Sequence, residues 1–109
     1  GAALSRDELN ALIPGSTVYR SGRDADATWS NQTDGKLIGS SQGRAHAGKR
    51  GTARGSWRVA DDGKYCVDIE WDLRTEQWCR FVFRHGDDYA AFRTDTDPGA
   101  KGMVLTIKK

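Results

Sequence analysis

The sequence predicts an all-β protein: a small antiparallel up-and-down β-barrel of about eight strands with one short N-terminal helix, taking residues 1–109 as a single domain. Three observations predict it. Between Tyr65 and Arg84 apolar and polar residues alternate in steps of two, the pattern of strands with one buried face. Thirteen glycines against two prolines, with 37% hydrophobic residues, suit short strands joined by glycine turns better than a helical bundle. Asp34-Gly35 and Asp62-Gly63 each separate two apolar runs, where a tight hairpin turn needs a residue that tolerates positive φ.

The helix is expected over about residues 6–12. Ser5 stands as N-cap, Glu8 three residues on completes a capping box, Leu4 and Leu9 form a hydrophobic staple, and Pro14 stops the element. Leu9, Leu12 and Ile13 make one apolar edge, fit to lie across an end of the sheet.

Strands follow from about residue 16 to 108. Ser16 to Ser21 is the first, Ala27 to Gln32 around Trp29 the second, and Leu37 to Ser41 the third. The polar, glycine-rich run from Gly43 to Gly55 reads as a loop, and Ser56 to Ala60 is the fourth strand, with Trp57 and Val59 inward. In the fifth, Tyr65, Val67, Ile69 and Trp71 face in and Cys66, Asp68 and Glu70 face out. Leu73 to Gln77 suits the loop of a long hairpin. On its return Cys79, Phe81 and Phe83 are expected inward, with Arg80 and Arg84 outward opposite Asp68 and Glu70. The same parity turns Trp78 outward, as a candidate exposed interaction aromatic. Tyr89 to Arg93 and Met103 to Ile107 complete the set. Closing such a meander removes its unpaired edges, which an open sheet of this length would expose.

Cys66 and Cys79 are either one disulfide or two buried thiols. Their spacing is no zinc pattern, since no second close Cys or His pair accompanies it. Small exported domains lean on such staples, which favours the bridge, whereas the opposite parities assigned to the two cysteines count against it.

Lys and Arg number 17 against 15 Asp and Glu, a net +2 that does not by itself imply a polyanion partner. Between Asp34 and Asp61, however, there is no acidic residue, and Arg44, Lys49, Arg50, Arg54 and Arg58 form a candidate polyanion-binding stretch beside Trp57. His46 and His85 have no ligating neighbours, so no metal and no cofactor are expected. Asp68 and Glu70 share a strand face but read as partners of cross-strand arginines rather than as an acid–base pair. No nucleophile with a local base appears, so no catalytic residue is assigned. No apolar run approaches the ~18 residues of a membrane-spanning helix.

Pro14-Gly15-Ser16-Thr17-Val18, Trp29, Asp34-Gly35-Lys36, Gly55-Ser56-Trp57-Arg58-Val59, Asp62-Gly63-Lys64-Tyr65-Cys66, Trp71, Cys79 and Gly86-Asp87-Asp88-Tyr89 occur in an order that resembles the domain of unknown function 995 family of small exported bacterial proteins. The resemblance implies a periplasmic or secreted envelope protein with a lipocalin-like sheet and paired cysteines. It brings no established activity. The expected function is therefore a non-enzymatic, monomeric binding module that meets a protein or envelope partner through its loops or barrel mouth. Polyanion binding through residues 44–58 and carriage of a small apolar ligand are the alternatives.

Overall fold

The computed structural model describes residues 2–23, 25–43, 50–94 and 102–109, with the backbone only at Arg50. Helix α1 (Arg6–Leu12) is followed by β1 (Thr17–Ser21), β2 (Ala25–Asn31), β3 (Lys36–Gly43), β4 (Arg50–Val59), β5 (Tyr65–Glu70), β6 (Thr75–His85), β7 (Asp88–Phe92) and β8 (Met103–Lys108). Each strand pairs antiparallel with the next, and β8 returns to β1, which closes the barrel.

Local chemistry sets the proximal end, where α1 sits. The Glu8 amide donates to Ser5 Oγ at 3.1 Å and the Ser5 amide donates to Glu8 Oε1 at 2.9 Å, so the capping box is complete. Leu9 and Ile13 are fully buried beneath the helix, and the Leu4 amide donates to the Val82 carbonyl, seating the helix on β6. Gly35 and Gly63, at φ of 90° and 88°, make the β2–β3 and β4–β5 turns at this same end.

Two expectations need correction. Most of the Gly43–Gly55 run is not loop: Gly43 ends β3, and β4 begins at Arg50, pairing with β3 from Gln42↔Arg50 to Lys36↔Ser56. Glycine serves here as a small inward residue: a Cβ on Gly55 would collide with the Asp68 carbonyl, and one on Gly39 would press on Trp29 and Trp71. β6 begins at Thr75, inside the expected loop, and its faces are reversed. Glu76, Trp78, Arg80 and Val82 share the interior parity. Cys79 is exposed on the outside, and Phe83 is buried there edge-on to Phe92, with ring centroids 5.4 Å apart.

The reversal removes the objection to the disulfide. Cys66 and Cys79 are direct cross-strand partners on the outer face, with Cα atoms 4.0 Å apart, and they are bridged. Inside, Trp29, Tyr65, Leu37, Ile69, Leu105, Val18 and Val82 are fully buried and fill the barrel.

Candidate functional site

Two polar networks cross the interior. The proximal one is a neutral relay in which Trp29 Nε1 donates to Tyr65 Oη at 3.0 Å, Tyr65 Oη donates to Asn31 Oδ1, Asn31 Nδ2 donates to Ser16 Oγ at 3.1 Å, and Ser16 Oγ donates to the Ile13 carbonyl at 2.6 Å. All four side chains are buried, and burial holds the Tyr65 hydroxyl far above its ordinary pKa despite its two hydrogen bonds. The relay ties the barrel wall to the end of α1.

The second network centres on Glu76, which is 8% exposed. Arg20 reaches across from β1 and grips both carboxylate oxygens, Nη2 donating to Oε1 at 2.9 Å and Nη1 to Oε2. Trp71 Nε1 donates to Oε1 at 3.1 Å and Trp78 Nε1 donates to Oε2 at 2.7 Å, while Arg74 lies 3.7 Å from Oε1. The Arg20 guanidinium also lies 5.2 Å from the centroid of the Trp29 ring. Burial pushes the Glu76 carboxyl up, but the bonds from Arg20 and Trp78, with the Arg20 charge and Trp71, outweigh it and hold the group at about 2. A carboxylate that is ionised throughout the physiological range and carries four hydrogen bonds is a poor general acid or base. Its work is to anchor one arginine and two indoles.

Four residues beyond Glu76 on β6, Arg80 occupies the same interior face, half-buried. Its guanidinium lies 5.8 Å from the centroid of the Trp78 ring, and its Nε is buried without an acceptor. Among the described residues no carboxylate stands within ion-pair distance of it. Burial, then the charge of Arg93, lower its pKa; Glu76 opposes this and Arg20 adds to it.

The residues expected to carry a site are dispersed. Arg54 and Arg58 are exposed on the outer face of β4, where Arg54 stands directly opposite Glu70 and Arg58 Nη2 lies 3.8 Å from Cys79 Sγ. Arg50 opens β4, and Arg44, Lys49 and His46 lie outside the described residues. Trp78 does not stand outward: it is half-buried, packs against the core, and meets Tyr65 edge-on at 5.6 Å. The register also reassigns the expected ion pairs, since Asp68 faces Gln77 and accepts its amide at 3.0 Å, while Arg80 is opposite Tyr65. His85 is exposed at the β6–β7 turn, and no metal-ligating group of three forms among the described residues.

Sequence reasoning missed Arg20, Glu76 and Arg80. A usable signal existed, because Glu76 and Arg80 alternate in phase with Trp78 and Val82, and a tryptophan is costlier to expose than a cysteine.

The model of the family described as protein of unknown function (DUF995) matches residues 3–94, and the chain belongs to that family. No curated protein and no solved structure gives a match to the chain.

Proposed function

We propose that this DUF995 member is a non-catalytic binding module that works outside the reducing cytosol, as a monomer, and engages its ligand at the distal end of the barrel, away from α1. The observation that carries the reading is the buried charge in that direction. A buried ion pair is expensive to desolvate, and the neutral proximal relay shows that this barrel closes an end without one.

Compartment and class have their own support. The Cys66–Cys79 bridge suits an oxidising environment, and bridged sulfurs are not nucleophiles. Glu76 is spent in structure, as its low pKa attests. A closed barrel has no free edge strand to recruit a second copy. The filled interior argues against carriage of a bulky apolar ligand, and Glu70 opposite Arg54 weakens the outer face of β4 as a polyanion surface.

Indole N–H resonances test the reading. Titration with a panel of organic acids, amines and sugars is expected to move the Trp71 and Trp78 signals for at least one class and to leave Trp57, which donates to the Gln32 carbonyl, in place. A panel that moves neither Trp71 nor Trp78 contradicts it. Protein taken from its native cells should show no free thiol before reduction and two after it.

A further inference from the structure

From the geometry around β6 we infer that Arg80 is the anchor of an oxyanion subsite, which takes a carboxylate or phosphate group carried by a small molecule. This rests on the reading above of the charged Glu76 network as part of a binding site, and it specifies the ligand chemistry on the side of that network towards Tyr65.

Glu76 cannot serve Arg80. Both of its oxygens already accept two hydrogen bonds each, from Arg20 twice, Trp71 and Trp78. An ionised carboxylate offers about four acceptor positions, so the nearest anion is saturated. The described residues that act electrostatically on Arg80 are Glu76, Arg20 and Arg93, two positive and one negative.

The Arg80 guanidinium lies 5.8 Å from the centroid of the Trp78 ring, a contact that uses none of its N–H donors. Those donors form a planar fork that matches the spacing of oxygens on carboxylate and phosphate. Nε, one arm of the fork, is already out of water and without an acceptor. A buried donor left unmade is costly, and an arriving oxyanion would recover that cost. No such cost attaches to Arg84, four residues on, which is exposed and lies 3.7 Å from Glu8.

The test is an indole-resonance titration of the full chain with inorganic phosphate and, separately, with acetate, at ionic strength held constant with chloride. Saturable movement of Trp78 is expected with at least one of the two, and which one responds distinguishes a phosphate from a carboxylate ligand. Arg80→Gln should weaken that binding at least tenfold, whereas Arg84→Gln should change it less than twofold. Arg80→Gln should also melt no lower than the wild type, because it removes an unpaired cation, and phosphate or acetate should raise the melting temperature of the wild type only.

Equal weakening by Arg80→Gln and Arg84→Gln would reduce the effect to general charge and overturn the subsite. A marked loss of stability in Arg80→Gln would show that Arg80 has a structural partner and would overturn it too. Silence towards phosphate and acetate, while an amine or a sugar moves Trp71 and Trp78, sinks the oxyanion assignment and leaves the distal-end reading standing. Silence across the whole panel removes both.

Discussion

The two polar networks inside this barrel are built on opposite principles. The Trp29–Tyr65–Asn31–Ser16 relay is neutral, linear and closed, each member giving a proton to the next until the last reaches a helix-end carbonyl. The Glu76 network is charged and radial, with one carboxylate holding an arginine from the opposite wall and two indoles, and with Arg80 left over beside it. A relay of this kind fixes a helix on a barrel. A hub with a surplus cation does more than packing needs, since a well-packed apolar interior of the same volume is often at least as stable as a buried ion pair. The two networks thus differ in whether their hydrogen bonding closes on itself.

The sharpest way to break the contrast is Glu76→Ala, which strands Arg20 and leaves the Trp71 and Trp78 N–H groups unpaired. A loss of about 3–5 kcal/mol in denaturant unfolding is expected. The same group gives the contrast a pH signature. Its folded pKa of about 2 lies below the ordinary 4.5, so its contribution is complete above about pH 4.5 and is lost as the pH falls towards 2. Melting temperatures of the wild type should fall across that window by more than those of Glu76→Gln.

Next in size is the outer staple. β5 and β6 carry Tyr65 of one network and Glu76 of the other, and the disulfide joins those two strands between them. Cys66→Ala with Cys79→Ala should cost about 3 kcal/mol, by the entropy of closing a loop of this length. Both networks should loosen together, as amide exchange on β5 and β6 would report.

Asn31→Ala is the smaller perturbation, at about 2 kcal/mol, because it leaves the Tyr65 hydroxyl without an acceptor and Ser16 Oγ without its donor. Its effect should stay proximal: amides around Ser16 and Ile13 should exchange faster while those flanking Glu76 keep their protection.

The parts of the fold that follow local rules were readable in the residues. Ser5 and Glu8 announce their capping box, Gly35 and Gly63 their turns, and Tyr65, Val67 and Ile69 the inner face of β5, because each signal lies within a few neighbours in sequence. β6 was misread because its chemistry inverts the usual rule. Cys79 is outside in a bridge and Phe83 is covered by Phe92, whereas Glu76 and Arg80 point inward to partners that only tertiary structure supplies. Arg20 and Glu76 lie 56 residues apart, so nothing local marks either as half of a pair. The glycines at 51 and 55 look like loop residues, yet they are small inward positions on β4, and Gly39, opposite Ala53 between them, lies against the tip of Trp71.

The four indole N–H resonances test the division of the interior most directly. Two of these groups donate to Glu76, one to Tyr65 and one to the Gln32 carbonyl. Glu76→Gln should shift the Trp71 and Trp78 signals and leave Trp57 where it is, and Tyr65→Phe should move Trp29 without disturbing Trp71. Should Glu76→Gln leave Trp78 unmoved, or shift all four alike, the inward parity of β6 and the separation of the two networks would both be contradicted.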